Sequence, residues 1–349
     1  MAATSTLGWL ESLSPWPVDG FGLERIRALL AALGDPQRSF SSLHVVGTKG
    51  KSTATRAIAA TLRAEGLESA AYTSPHVSGW HERLETTPER FEAAIARVRP
   101  QAEDAGATQF EVLTAAAFAD FASRGVEVAV VEAGLGGRHD ATNVIDAPIV
   151  LLTNVGLEHT DVLGSTREAI AAEKLAVAHA AETVVLPDAE FAALVPRSKT
   201  VTGGAREAAE AFLGRPVDRL VAAPLPGRLE LRANGEVRDG AHTPEAVDWL
   251  LARLPGPAGY VVVASILADK DADAMLERLS RAGSTLIATA SSSPRALSAA
   301  ALAGRAAPWF AAVEAVDDPH AALSHARELG RPVLVTGSLY LLADLCDDR

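Results

Sequence analysis

The chain has 349 residues, and its 32 Lys and Arg against 44 Asp and Glu give a formal net charge of −12. Hydrophobic residues make up 48% and charged residues 22%, which excludes a disordered or collagen-like chain and allows a sizeable core. The length suits about two domains. The acidic balance argues against broad nucleic-acid binding, and the single cysteine, Cys346, cannot form an internal disulfide.

The N-terminal segment lacks the features of a secretory signal. Residues 1–10 contain no Lys or Arg, and no long apolar run follows them. No uncharged apolar stretch approaches the ~20 residues that span a bilayer. We therefore expect a cytoplasmic, monomeric protein that acts on small molecules, with neither nucleic acid nor a membrane as a partner.

The N-terminal half alternates helices with apolar strands. Residues 22–34 predict an amphipathic helix, and a strand and a glycine-rich turn follow it before the Ala-rich helix predicted at 54–66. Apolar runs predict strands at 126–133 and 148–153, with a helix at 110–125 before them. This alternation favours a parallel sheet with helices on both faces.

A second alternating run occupies the C-terminal third. The boundary between the two runs is placed after residue 223, so that residues 1–223 form one domain and 224–349 a smaller one, and periodicity is weak at 185–225. The predicted elements are strands at 259–264, 284–289 and 332–336 and helices at 244–253, 271–282, 295–304 and 318–329.

Residues 47–53, GTKGKST, join a predicted strand to a predicted helix. Glycines let the backbone approach a phosphate, and a helix N-terminus offers free N–H groups and a positive dipole end. Lys51 can reach outer phosphates, and a hydroxyl of Ser52 or Thr53 can face Mg²⁺. The spacing departs from the common Walker pattern, whose first glycine would fall at Val45. The alternative is a plain strand-to-helix turn with a surface lysine.

This loop resembles the nucleotide loop of the Mur-ligase superfamily of ATP-dependent amide ligases. The stretches 72–85, 130–145 and 155–177 narrow the resemblance to the folylpolyglutamate synthase and dihydrofolate synthase family, as do LPGRLE, DGAHTPEA, LADKD and VTGSLYLLADL. The resemblance implies an α/β fold: an N-terminal P-loop ATPase-type domain with a parallel sheet, and a smaller, Rossmann-like C-terminal domain. It implies ATP, bound between the two domains, and Mg²⁺ as cofactors.

The resemblance also implies how the N-terminal motifs bind ATP and metal. Glu132 ends a predicted strand, where a carboxylate faces the ligand crevice of a parallel sheet. Taken alone, Ser74 is a turn residue before Pro75 and His159 a structural histidine. The implied ATP-binding residues here are Lys49, Gly50, Lys51, Ser52 and Thr53, and the implied Mg²⁺ ligands are Ser74, Glu132 and His159.

Lys174 lies on a helix predicted to begin at Ser165 and Thr166. An isolated lysine there is a solvated helix residue. The resemblance implies instead that Lys174 is carbamylated and acts with Lys51 and His159 in catalysis. Because a lysine must lose its proton to react with CO₂, partial burial near the metal would favour this change.

In the C-terminal domain, the resemblance assigns ATP contacts to Arg228, Asp239 and His242. An arginine suits phosphate because its planar fork donates two hydrogen bonds. The alternatives are surface ion pairing for Arg228 and turn capping for Asp239. Thr243 stands where the family usually has Asn.

The acceptor site implied by the resemblance includes Phe110, Glu111, Arg138 and Asp140. A pteridine ring is expected near Phe110 and Asp140, since an aromatic face can stack and a carboxylate can accept ring N–H bonds. The alternative for Phe110 is a core helix residue.

The chain also departs from the family pattern. It passes almost directly from Glu85 to a helical segment where members carry a longer acceptor loop, and residues 205–212 resemble only a remnant of an ATP-contacting segment. The predicted function is an ATP-dependent ligase that joins L-glutamate to a pteroate or folate carboxylate through an acyl phosphate. The alternatives are a ligase for a non-folate acid and an ATP-binding regulator without ligase activity.

Overall fold

The computed structural model describes residues 5–17, 20–256 and 259–346, which form two compact units. The N-terminal unit comprises the described residues up to His76 together with Trp80–Ala223. The C-terminal unit comprises the described residues from Pro224 onward together with Val77–Gly79.

A six-stranded, fully parallel sheet forms the centre of the N-terminal unit. Its strands are β1 (Ser41–Val46), β2 (Ser69–Tyr72), β3 (Val128–Glu132), β4 (Ile149–Leu152), β5 (Thr183–Leu186) and β6 (Lys199–Thr202). The strand order is β2-β3-β1-β4-β5-β6. Every residue of β3 and β4 is buried, as expected for strands covered on both faces.

Helices cover both faces of this sheet. On one face Leu43 and Val45 pack with Ile58 and Ala208, and on the other Tyr72 packs with a cluster from the two longest helices. The α-helices are α1 (Thr6–Ser12), α2 (Glu24–Ala32), α3 (Lys51–Ala64), α4 (Pro88–Ala105), α5 (Gln109–Arg124), α6 (Thr160–Leu163), α7 (Arg167–Leu175) and α8 (Ala205–Leu213). Short 3₁₀ helices lie at Pro36–Arg38, Trp80–Leu84, Ala176–Ala180 and Ala189–Leu194.

The C-terminal unit contains a second six-stranded sheet, with α-helices between its strands. The strands are β7 (Glu230–Leu231), β8 (Val237–Arg238), β9 (Val261–Ala264), β10 (Thr285–Ala288), β11 (Ala312–Ala315) and β12 (Val333–Thr336). The helices are α9 (Pro244–Leu251), α10 (Ala272–Leu279), α11 (Ala299–Ala306), α12 (Pro319–Glu328) and α13 (Leu339–Asp344). The order is β11-β10-β9-β12-β8-β7, parallel except for the short antiparallel β7–β8 pair.

The α/β class and the parallel sheet predicted from the sequence are confirmed. Several strands escaped prediction, and four of them, β2, β6, β7 and β11, lie at sheet edges. Strands β6 and β11 have only exposed or half-buried residues, so they lack an apolar run. The helix predicted from residue 295 begins at Ala299, because the Ser298 hydroxyl caps it by accepting a hydrogen bond from Ala301 N. Among the described helices, none has the length and apolar character needed to cross a membrane.

Candidate active site

Three neighbouring strand ends define the candidate site in the N-terminal unit. Strand β1 lies between β3 and β4, so the chain order reverses there, and an open α/β sheet binds ligands at such a switch point. The phosphate loop, residues 47–53, follows β1. Glu132 ends β3, and its Cα pairs with that of Val45 in β1.

Glycines give the phosphate loop its shape. Gly47 has φ +147°, and a Cβ there would lie 2.0 Å from Thr153 Oγ1, so a side chain would collide with the loop after β4. Gly50 has φ +78° and directly precedes α3, which starts at Lys51. The Lys51 Nζ donates to Gly47 O at 3.1 Å. The loop thus places backbone N–H groups and a lysine at the start of a helix, as phosphate binding requires.

The loop after β4 holds the phosphate loop through the peptide groups of Lys49. Asn154 Oδ1 accepts from Lys49 N, and Asn154 Nδ2 donates to Lys49 O, both at 2.9 Å. Thr153 Oγ1 donates to the same carbonyl at 2.7 Å. Both residues escaped prediction, although a Thr-Asn pair directly after a buried strand was a visible signal.

Glu132 brings three of the predicted site residues together. Its side chain is buried, with 1% of the residue exposed. Its Oε1 accepts from Ser52 Oγ and its Oε2 from Ser74 N, each at 3.0 Å. Ser52 is therefore the loop hydroxyl beside the carboxylate, whereas Thr53 is exposed. A carboxylate and a hydroxyl are hard oxygen donors and fit Mg²⁺, which keeps waters and phosphate oxygens as its other ligands.

His159 does not join these residues in a ligand cluster. It is exposed and has a left-handed backbone, φ +51°, just before α6. Within the described ranges, no three His, Cys, Asp or Glu side chains gather to hold a metal ion. The hard oxygen donors that the structure brings together here are those of Glu132 and Ser52.

Lys174 is buried, so the solvated-lysine alternative is wrong. Only 5% of the residue is exposed, and its Nζ donates to Gly47 O at 3.0 Å. Lys51 donates to the same carbonyl, so two lysines meet at the phosphate loop. Burial, and next the charge of Lys51, lower the pKa of Lys174 to about 8. A larger fraction of Lys174 is therefore a neutral amine at neutral pH than for an ordinary lysine.

Phe110 and Asp140 meet across Gly134. A Cβ at Gly134 would lie 2.6 Å from Phe110 Cζ and 3.2 Å from Asp140 Oδ2. The Phe110 ring is half-buried, with its centre 6.2 Å from that of Tyr72. Asp140 is buried and accepts from Leu135 N at 2.8 Å and Thr142 N at 3.0 Å. Burial raises the pKa of Asp140, against the effect of these hydrogen bonds.

Glu111 and Arg138, the other two predicted acceptor residues, have partners within the protein. Glu111 caps α5: its Oε2 accepts from Thr108 N at 2.8 Å and from Arg25 Nε at 3.2 Å. Arg138 is exposed, and its Nε pairs with Glu173 Oε2 at 3.2 Å. Each of these two side chains therefore has a structural role that does not depend on a substrate.

In the C-terminal unit, Arg228, Asp239 and His242 lie on adjoining loops. Buried Asp239 accepts from Leu229 N at 2.7 Å and from Ala241 N at 2.8 Å, so it caps turns as its alternative supposed. Burial raises the pKa of Asp239. A Cβ at Gly240 would lie 3.0 Å from Arg228 Nη1, and His242 Nδ1 is 2.7 Å from Gly240 O. Within the described part of the chain Arg228 makes no ion pair.

Comparison with known proteins agrees with this geometry. The Mur ligase middle domain matches residues 45–212, and the Mur ligase glutamate ligase domain matches residues 227–339. The fold and the site thus define an ATP-dependent ligase of the Mur type.

Individual relatives narrow the class. A folylpolyglutamate synthase from Lacticaseibacillus casei is 32% identical over 98% of this chain and 97% of its own length. A dihydrofolate synthase/folylpolyglutamate synthase from Mycobacterium tuberculosis is 32% identical over 80% of this chain and 76% of its own. The structure of Escherichia coli FolC with DHPP and ADP has a TM-score of 0.86 at 26% identity, covering 100% of this chain and 98% of that one. The chain belongs to the folylpolyglutamate synthase/dihydrofolate synthase family.

Proposed function

We propose that this chain joins L-glutamate to the carboxylate of a pteroate or folate, with ATP as the energy source. The observation that carries the proposal is the contact of buried Glu132 with Ser52 of the phosphate loop and with Ser74 N. This contact supports the proposal because it sets a buried carboxylate, which can bind Mg²⁺, beside a loop whose backbone can bind phosphate. The relatives' names support the acceptor and the amino acid, and one similar structure is described as binding Mn, AMPPNP and L-glutamate.

The proposed reaction has two steps. First, an acceptor carboxylate oxygen attacks the γ-phosphorus of ATP, the bond to the β–γ bridging oxygen breaks, and ADP leaves. Next, the neutral amine of glutamate attacks the carbonyl carbon of the acyl phosphate. The bond from that carbon to the phosphate oxygen then breaks, phosphate leaves, and the nitrogen loses a proton to give the amide.

The residues of the phosphate loop would supply positive charge for the first step. Lys51 and the N–H groups that precede α3 would stabilise the negative charge on the transferring phosphoryl group, with Lys49, Gly50, Ser52 and Thr53 completing the loop. Glu132 and Ser52 would hold Mg²⁺, with Ser74 and His159 as further candidate ligands. When bound, Mg²⁺ would neutralise phosphate charge.

Lys174 would act as a carbamate. Its neutral amine, favoured by burial beside Lys51, would attack CO₂ and lose a proton, so that a cation becomes an anion next to the phosphate loop. This change would also remove the repulsion between the two lysines that share Gly47 O.

The remaining proposals concern the residues that contact the pteridine ring of the acceptor and those that contact the nucleotide from the C-terminal domain. Phe110 and Asp140 would hold the pteridine ring, with Arg138 and Glu111 near the acceptor, because the structure places Phe110 and Asp140 together across Gly134. In the C-terminal domain, residues 224–349, Arg228, Asp239 and His242 would contact the nucleotide. A cytoplasmic location and a monomeric state stay predictions from the sequence.

The test is ADP release by the purified chain with Mg²⁺, ATP, dihydropteroate and L-glutamate, with each component omitted in turn. We expect release to need both dihydropteroate and L-glutamate, and mass spectrometry to detect an acceptor that has gained one glutamyl unit. D-glutamate serves as the matched control. Turnover with other acids but not with pteroates or folates would indicate a different acceptor, and nucleotide binding without any acceptor-dependent turnover would contradict the ligase.

A further inference from the structure

Arg83 is a fixed, partly buried cation that the predicted site does not include. It lies on the 3₁₀ helix Trp80–Leu84, which follows β2 in the N-terminal unit. Two hydrogen bonds anchor this segment of the main chain: Thr73 N donates to Arg83 O at 3.0 Å, and Arg56 Nη2 donates to the preceding carbonyl, Glu82 O, at 2.6 Å. Arg83 therefore starts from a rigid main chain next to Ser74.

Two aromatic rings orient the guanidinium of Arg83. Its Nε donates to His76 Nδ1 at 2.9 Å, and its Cζ lies 5.0 Å from the centre of the Trp80 ring. The His76 and Trp80 rings contact each other, with centres 4.4 Å apart. Burial, and next the charge of Arg83, lower the pKa of His76 to about 3, so His76 accepts this bond as a neutral imidazole. Neither ring supplies a negative charge.

Other arginines of the N-terminal unit pair with a carboxylate. Arg25 pairs with Glu111 at 3.2 Å, and Arg90 pairs with Asp120 at 2.6 Å. In the described ranges Arg83 has no carboxylate within 4.0 Å, although burial lowers its pKa below the usual value. The carboxylates of Glu132 and Glu82 act on Arg83 without forming an ion pair with it among the described residues, so a partly buried guanidinium is left that suits a site that receives an anion.

The donors of Arg83 define the kind of anion. Among the described residues only its Nε finds a hydrogen-bond partner, so both Nη groups remain for a ligand. A guanidinium fork matches a planar carboxylate or a phosphate, with two parallel hydrogen bonds.

The surroundings of Arg83 point to the acceptor rather than the nucleotide. Thr73 N donates to Arg83 O, and the next residue, Ser74, donates its N–H to Glu132 Oε2 at 3.0 Å, so the chain around Arg83 lies beside Glu132, whose carboxylate also raises the pKa of Arg83. Glu132 is the proposed metal ligand, and the Tyr72 ring neighbours Phe110, with the two centres 6.2 Å apart. Arg83 thus lies near the metal carboxylate and near the proposed pteridine contact.

We propose that Arg83 binds the reacting carboxylate of the acceptor and then the acyl phosphate formed on it, and that His76 and Trp80 position its guanidinium. This inference rests on the proposed function, since it names the residue that holds the acceptor in that reaction. It predicts that acceptors with a free carboxylate are selected over their amides.

The experiment measures KM and kcat with dihydropteroate, ATP and L-glutamate for Arg83→Ala and Arg83→Lys. A lost bond to a charged group corresponds to about 10- to 100-fold, so we expect KM for dihydropteroate to rise, or kcat to fall, by that factor in Arg83→Ala. KM for ATP should change less than about twofold, and added guanidinium should restore part of the activity. The constants of Arg83→Lys should lie between those of the wild type and those of Arg83→Ala, because lysine keeps the charge but lacks the planar fork of donors.

His76 variants test the positioning role. His76→Ala removes the acceptor of the Arg83 Nε–H bond and should raise KM for dihydropteroate, whereas His76→Asn keeps a carbonyl oxygen and should recover much of the loss. The matched control is Arg99→Ala. Arg99 also lies over a tryptophan, 4.9 Å from the Trp9 ring, but it already pairs with Glu103, so its removal should leave both constants unchanged.

The outcomes separate this inference from the proposed function. If the wild-type chain shows no turnover that depends on dihydropteroate and L-glutamate, the proposed function fails. If the wild type turns over and folded Arg83→Ala keeps its KM and kcat, the role of Arg83 is refuted. If thermal melting shows that Arg83→Ala is unfolded, the test uses Arg83→Lys, His76→Ala and His76→Asn instead. Unchanged KM and kcat in all three variants would refute the inference.

Discussion

The phosphate end and the acceptor end of the N-terminal unit use their polar residues differently. At the phosphate end, Ser52, Ser74 and Glu132 come from three separate segments of the chain and contact one another. At the acceptor end, Glu111 caps a helix and Asp140 fixes the loop that follows β3. A short loop that binds its ligand through the backbone can be predicted from the sequence. A side chain that also stabilises the fold can be explained by structure or by substrate binding, and residue type alone does not separate the two.

The largest expected effect is at Lys51. Lys51→Ala removes the positive charge proposed to stabilise the transferring phosphoryl group, so kcat should fall by roughly 10²- to 10³-fold. Steady-state ADP release measures this, with Lys199→Ala on the exposed edge strand β6 as the control. Near-normal turnover of folded Lys51→Ala would show that the phosphate end does not work as proposed.

Lys174→Ala should also be nearly inactive, and a short carboxylic acid should partly restore it by supplying the missing oxygens. Because the pKa of Lys174 is about 8, its neutral, CO₂-reactive fraction rises as pH increases through that value. After removal of CO₂, wild-type activity should therefore return faster at pH 9 than at pH 7 when the concentration of dissolved CO₂ is held the same at both pH values. Full activity of Lys174→Ala would rule out the carbamate.

Glu132→Gln tests the metal at the phosphate end. The variant keeps the size of the side chain but loses its charge, so half-maximal activity should need about tenfold or more Mg²⁺. A Mg²⁺ titration of ADP release measures the shift. Glu127→Gln is the control, since Glu127 is exposed and, among the described residues, its carboxylate accepts a hydrogen bond only from Glu68 N. Superimposable titrations for Glu132→Gln and the wild type would place the metal elsewhere.

At the acceptor end, comparing Asp140→Asn with Arg138→Ala separates an effect on stability from a contact with the substrate. Asp140→Asn turns one acceptor oxygen into an amino group that faces a backbone donor, so the free energy of unfolding should fall by about 1–3 kcal/mol and KM for dihydropteroate should rise. Arg138→Ala removes a surface ion pair and should change stability by less than about 1 kcal/mol. A raised KM in Arg138→Ala would therefore report a substrate contact alone.

The smallest effect on stability at neutral pH is expected at His44, which links β1 to the loop that follows β3. Its Nε2 lies 2.8 Å from Thr142 Oγ1, which in turn donates to Asp140, while its Nδ1 is buried without a hydrogen-bond partner in the described structure. Burial, and next the charge of His179, lower the pKa of His44 from 6.5 to about 3. Between these values the unfolded chain binds the extra proton, so stability falls as pH decreases.

Chemical denaturation at several pH values measures this dependence. The contribution of His44 is at most about 1.4 kcal/mol for each pH unit below 6.5. His44→Gln should give a shallower loss of stability toward acid than the wild type. An equally steep loss in His44→Gln would contradict the buried neutral histidine.

The sequence was sufficient where function depends on local backbone geometry. The glycines around Lys51 and the strand before Glu132 predicted a loop and a carboxylate that the structure brings into contact through Ser52, because both features are contiguous in the chain. Asn154 and Arg83 were missed since their importance comes from partners elsewhere in the sequence: Asn154 holds Lys49, 105 residues away, and Arg83 is notable for a counter-ion it lacks among the described residues. The burial of Lys174 is likewise a tertiary property.

Transfer of an oxygen label tests the central claim most directly. The chain is incubated with Mg²⁺, ATP, L-glutamate and dihydropteroate that carries a heavy oxygen isotope at both oxygens of its carboxylate, and the released phosphate is analysed by mass spectrometry. An acyl phosphate passes one carboxylate oxygen to phosphate, so each labelled acceptor consumed should yield one labelled phosphate. Unlabelled phosphate, released at the same rate without acceptor, would contradict the account.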